Sequence, residues 1–112
     1  MERDQIQEEG GMLFAYRTPR PLQFAMPHCR TPLDLAFLDA AGRVLAIHTM
    51  AAEPPQAAGE SYLAYDRRLP RYHSGVPAQF VIELRGGRFK DLGVDRGDLI
   101  ALPVTLLARW AR

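Results

Sequence analysis

The stretch PLDLAFLDAAGRVLAIH, residues 32–48, decides the fold. Leu33, Leu35 and Phe37 alternate with Asp34, Ala36 and Leu38, the period of two of a β-strand. Asp39 to Gly42 supplies turn chemistry: an aspartate that can bond its own backbone, then a glycine free to take positive φ. Val44 to His48 reads as the returning strand, so a hairpin over 33–48 is predicted.

Working outward, MLFAY (12–16), LQFAM (22–26) and QFVIEL (79–84) read as further strands. RTPRP separates the first two with two prolines that a central strand would not accept. In QFVIEL, Phe80, Ile82 and Leu84 share one face and Glu83 points to solvent. RFKDLG predicts one helical turn stopped by Gly93, and VDRGDLIAL a tight turn at Asp95–Asp98 before a last strand. Residues 2–9 suggest a polar helical turn closed by Gly10 and Gly11, and VTLLARWAR places Leu106, Leu107 and Trp110 on one helical face. Residues 50–78 hold four prolines, at 54, 55, 70 and 77, which argues for a long loop without long regular elements. Tyr62, Tyr65 and Tyr72 are its expected anchors, since each can bury a ring and keep its hydroxyl wet. The sum is a mostly β domain: a small barrel or half-barrel of short strands, with a long Pro-rich loop and a short C-terminal helix.

A chain of 112 residues suffices for one hydrophobic core, so 1–112 is expected to be a single domain. A net charge of +1 gives no field to attract nucleic acid or an anionic membrane. All basic residues but Lys90 are arginine, yet they are scattered rather than gathered into a phosphate-binding patch. One cysteine forms no internal disulfide, and no apolar run approaches the roughly 20 residues of a membrane span. The opening MERDQIQEEGG is acidic, unlike a secretory signal, so a soluble cytoplasmic protein is expected.

Six pieces occur in order: GGMLF, FAMPHC, PLDLAFLDAAGRV, YHSG, FVIELRGG and LGVDRGDLI. Together they resemble the uncharacterised family numbered 192 among the domains of unknown function. That family shows a G-M-L-F strand, an F-W-M-K-N-T-like segment, a P-L-D-[IV]-x-F-L-D strand, a G-[RK]-[IV] return, a Y-x-S-G element, a V-L-E-L strand and a closing G-[IV]-x-x-G-D turn. The resemblance covers about residues 10–102 and leaves 103–112 as an extension. It implies a small, mostly β, barrel-like domain and carries no established activity. Met1-Glu2-Arg3 is similar to the end of the family's G-L-M-x-R segment, so the family's first strand is expected to be missing and a sheet edge exposed. A homodimer through that edge would follow.

The candidate ligand-binding residues are Met26, His28, Cys29, Asp34 and Ser74. A Cys29 nucleophile is disfavoured, because His28 and Cys29 point to opposite sides of an extended chain and the family position is usually Asn. His28, Cys29, His48 and His73 lack the spacing of a metal site, so no metal and no cofactor is expected. Asp34 opens a strand that otherwise reads as buried, where a carboxylate needs partners. It is read as a structural carboxylate accepting N–H bonds from a nearby turn, in preference to a ligand-orienting group or general base working with Ser74. RGDL (96–99) reads as a turn, RRLPR (67–71) as a solvated loop, and RGGRFK lacks the setting of a phosphate loop.

The function expected from this pattern is a non-catalytic β domain that binds a small molecule or a protein segment. The alternatives are a hydrolase or isomerase with Asp34 as general base, and a structural domain completed by a partner's strand.

Overall fold

The computed structural model describes residues 4–5, 11–25 and 31–101. In chain order these form β1 (Asp4–Gln5), β2 (Met12–Arg20), β3 (Gln23–Phe24), β4 (Leu33–Leu38), β5 (Val44–Met50), α1 (Tyr62–Arg68), β6 (Tyr72–His73), β7 (Ala78–Arg85) and α2 (Arg88–Leu92). Five strands make one antiparallel sheet in the order β1-β2-β7-β4-β5, and β3 pairs with β6 in a second, two-stranded sheet. The domain is mostly β as expected, and among the described residues its main sheet is open, with no closed barrel.

The hairpin forms where the alternation and the turn residues place it. β4 pairs with β5 from Leu33↔Met50 to Leu38↔Val44, with a bulge beside Phe37 and Leu38. Asp39 Oδ1 accepts the N–H groups of Ala41 and Arg43, each at 2.9 Å, and Gly42 takes φ +91°. On its other side β4 pairs with β7, from Leu33↔Arg85 to Leu38↔Phe80. β4 is therefore central, and every residue from Asp34 to Leu38 is buried.

Both faces of the sheet are covered. On one, Phe14, Leu35, Phe37 and Val81 pack with Tyr16, Leu22, Phe24 and Met50. There the Phe24 ring lies edge-on to Phe14 and Phe37, with centroids 5.2 and 5.8 Å away. On the other, Leu13, Ala15, Ala36, Leu38, Phe80 and Ile82 pack against Phe89, with Val94 and Ile100 beside them. Each large side chain so buried stabilises the fold by about 2–3 kcal/mol relative to exposure.

This two-sided cover corrects one expectation. Glu83 does not point to solvent; it is 5 % exposed, on the same side of β7 as Val81. Alternation separates wet from dry positions only when one face of a sheet is wet.

Other boundaries also move. β2 runs on through Pro19, which falls where the pairing with β7 shifts between Ala15 and Arg20, so no regular ladder donor is lost. Asp4 and Gln5, expected in a helical turn, instead pair with Leu13 and Met12. A short strand thus stands beside β2 at Met12 and Leu13. The strand after Asp98 is reduced to a single bridge between Leu99 and Arg43. α2 ends at Gly93 with φ +70°, as the sequence indicated. The C-terminal helix expected over 103–112 lies outside the described residues, among which no helix is long and apolar enough to cross a membrane.

The Pro-rich stretch contains α1, which the prolines concealed. Ser61 caps it, its hydroxyl accepting the Ala64 N–H at 3.1 Å, and Arg67 and Arg68 fill its last turn. Of the three tyrosine anchors only Tyr65 is fully buried, at 1 % exposure, whereas Tyr62 is 54 % exposed. Arg68 stacks over the Tyr65 ring at 4.7 Å and grips the preceding loop. Its guanidinium donates to both Glu60 carboxylate oxygens at 2.9 and 3.1 Å and to the Pro54 and Pro55 carbonyls at 3.0 and 3.1 Å.

The hydrogen bond from Arg68 holds the Glu60 carboxyl below its ordinary pKa, helped by the Ala57 N–H. A depressed carboxylate pKa contributes stability that is present above the unfolded value and lost as pH falls through the folded value. In Arg68→Gln the Glu60 carboxyl is expected to titrate at higher pH, read from its side-chain carboxyl resonance. An unchanged Glu60 titration would show that the clamp does not form in solution.

Candidate functional site

β5 is the last strand of its sheet, and a cleft of about 1130 Å³ runs along its outer side. Residues 45–49 form the floor. Residues 73–76 rise on one side, and Gly87, Phe89, Lys90 and residues 93–96 on the other. The floor is extended because 44–50 is rich in β-branched and apolar residues. The second wall is built by the short helix α2 and the turn that follows it.

Asp34 and Ser74, both picked from the sequence, come to this cleft from opposite sides. Asp34 is 3 % exposed and both of its oxygens are engaged. Thr49 Oγ1 donates to Oδ1 at 2.9 Å, and the Phe89 N–H donates to Oδ2 at 3.1 Å. One carboxylate therefore ties the floor strand to the α2 wall. Of the backbone N–H bonds expected from a turn, one is present and comes from the first turn of α2, while the other donor is a side-chain hydroxyl.

Ser74, 4 % exposed, braces the other wall, to Leu22 behind it and to Val76 within it. Its hydroxyl oxygen accepts the Leu22 N–H at 3.0 Å and its hydroxyl donates to the Val76 carbonyl at 2.7 Å. The Ser74 N–H returns a bond to the Leu22 carbonyl at 2.9 Å. His48 adds a third tie: its Nε2 lies 2.8 Å from the His73 carbonyl, and a carbonyl only accepts, so this nitrogen carries the proton. The His48 ring sits between Phe37 and Tyr72, with centroids 5.9 and 5.6 Å away.

Met26, His28 and Cys29 lie outside the described residues, so the structure joins only Asp34 and Ser74 of the five candidates. Thr49, Lys90, Val94 and Arg96 line the cleft without having been singled out. Thr49 lies near the end of β5, Lys90 in α2, and Val94 and Arg96 in the turn that follows it, and nothing in the local sequence marks Thr49 as a neighbour of the others. Lys90 and Arg96 are exposed cations, with Asp95 as the exposed anion beside them. Among the described residues no group of three His, Cys, Asp or Glu is placed to hold a metal ion.

No curated protein matches the chain. Similar solved structures include a protein from Sinorhizobium meliloti 1021, described provisionally as a transcription regulator. It is 32% identical, with a TM-score of 0.62 over 88% of this chain and 67% of that one. Another is a protein of unknown function from Novosphingobium aromaticivorans DSM 12444, 26% identical, with a TM-score of 0.64 over 91% of this chain and 64% of that one. The chain thus spans about two thirds of the length of these relatives. The model of the uncharacterized ACR family, number 192 among the domains of unknown function, matches residues 1–102. That span takes in every described strand, both helices and both walls of the cleft, and the chain belongs to this family.

Proposed function

We propose that the protein is a non-catalytic binding domain whose ligand, a small molecule or a segment of another polypeptide, lies in the cleft along β5. The observation that carries this reading is the use made of the cleft's most reactive-looking groups. Both Asp34 oxygens tie the α2 wall to the floor, and the Ser74 hydroxyl is committed to Leu22 and Val76 within the other wall and its support, which favours a fixed, preformed receptor over a general base or a nucleophile. A net charge of +1 gives no support for carrying the relative's regulatory description over as nucleic-acid binding.

The test is a screen of metabolites and short peptides against the ¹⁵N-labelled chain, followed by amide shifts. Binding is expected to move resonances of residues 45–49, 73–76 and 87–96 and to leave every ligand chemically unchanged. Conversion of a bound compound to product, abolished in Asp34→Asn with the fold intact, would replace this reading by the enzymatic one.

A further inference from the structure

From the backbone geometry of the cleft floor we infer the class of occupant: an extended segment of another protein, about six residues long, added antiparallel to β5 with an acidic side chain toward α2. This rests on the cleft being the binding site.

The first ground is the edge itself. Among the described residues β5 has β4 as its one strand neighbour, so the main-chain groups on its other side face the cleft. Sheet edges are ordinarily blunted by charge or proline, yet LAIHTM, residues 45–50, carries neither. The edge is recessed instead, between a wall on each face of the sheet. Such a site admits a single extended chain while keeping out broad sheet-to-sheet contact.

The second ground is that the chain already performs this addition on itself at the same edge. The Val44 N–H donates to the Asp98 carbonyl and the Gly97 N–H to the Val44 carbonyl, both at 2.8 Å, and the Ile100 N–H donates to Gly42 at 2.9 Å. Arg43 and Leu99 form an antiparallel bridge between them. The pairing stops there because the chain turns away at Asp95–Asp98, where the Asp98 N–H meets the Asp95 carbonyl at 3.1 Å and Asp98 Oδ2 accepts the Asp95 N–H at 2.8 Å. An incoming strand would continue the same edge over 45–50, about 20 Å at the usual rise of a strand.

The walls set the side-chain preference, since successive residues of an added strand face opposite sides. The 73–76 wall offers Val76, 48 % exposed, which suits an apolar residue. The α2 wall offers Lys90 and Arg96 against the single exposed carboxylate of Asp95, which suits an acidic one.

The probe is a synthetic set of blocked octapeptides that alternate valine or threonine with glutamate or serine, titrated into the full chain at low salt. Glutamate-bearing members are expected to bind, shift the amides of 45–50 and slow their hydrogen exchange. N-methylation along the best peptide should weaken binding about tenfold or more at every second position and little between them, the signature of main-chain pairing with one partner strand. Lys90→Glu combined with Arg96→Glu should weaken the glutamate peptides about tenfold and the serine peptides little, with added salt narrowing the difference.

N-methylation without a period of two overturns the strand-addition inference. A small molecule that occupies the cleft while no peptide does overturns it and leaves the binding-domain reading standing. A cleft silent to metabolites and peptides alike removes both. A concentration-dependent dimer with 45–50 protected in the absence of peptide makes a second copy the occupant and overturns the heterologous segment.

Discussion

Asp34→Ala is expected to destabilise the domain by about 2–3 kcal/mol, because the buried Phe89 N–H loses its acceptor, an unsatisfied group of this kind costing about 1–3 kcal/mol, and the part-buried Thr49 hydroxyl loses its bond but can turn to water. Asp34→Asn can keep its amide oxygen on the Phe89 N–H and donate its NH₂ to the Thr49 hydroxyl, which then accepts, so a smaller loss, about 1 kcal/mol from the weaker neutral acceptor, is expected. Urea unfolding reads both values. Hydrogen exchange at Phe89 reads the local part and should accelerate in either variant before global unfolding, as the α2 wall comes away from β5. A wild-type unfolding midpoint in Asp34→Asn, joined to loss of ligand, would mean that the carboxylate serves the ligand and not the wall.

Gly42→Ala is expected to be at least as damaging as Asp34→Ala, by about 3 kcal/mol or more, for two reasons that a control separates. At φ +91° an alanine sits in left-handed backbone, at a penalty of about 1–2 kcal/mol. Its Cβ would also overlap the Ile100 carbonyl oxygen and push residues 97–100 off the hairpin. Gly97 has nearly the same φ, +93°, but nothing stands near where its Cβ would be. Gly97→Ala should therefore cost only the conformational part, about 1–2 kcal/mol. Equal losses at the two positions would show that the close approach to Ile100 carries no weight.

The hairpin was legible because everything that fixes it is local. Alternation over 33–38, an aspartate and glycine in the turn, and an apolar return all fall within one short stretch. α1 was hidden although its signals are local too: Ser61 as cap, and Tyr62, Tyr65 and Leu69 at helical spacing. Prolines at 54, 55, 70 and 77 dominated the reading, yet all of them fall outside 62–68 and break nothing there. Glu83 was misplaced because the cover on the second face of β7 comes from distant chain, and alternation does not report what packs from elsewhere. Asp34 stood out as a polar residue in a buried strand, but its partners are 15 and 55 residues away. A sequence can mark such a residue as needing partners without naming them. The cleft is less legible still, since its floor and walls come from three separate stretches that meet only once the sheet is assembled.

The position of β4 between β5 and β7 also has a kinetic side. Leu38 meets Val44 across a tight turn on one flank and Phe80 on the other, after the whole of residues 45–79 has been traversed. The turn side can close in about 1–10 μs, as hairpins do. The far side must first gather a long, proline-studded segment, and such non-local closure governs the speed at which sheets form. Until β7 arrives, β4 has one flank without its native neighbour, and that interval, rather than the finished molecule, is when this chain is most open to pairing with the wrong strand.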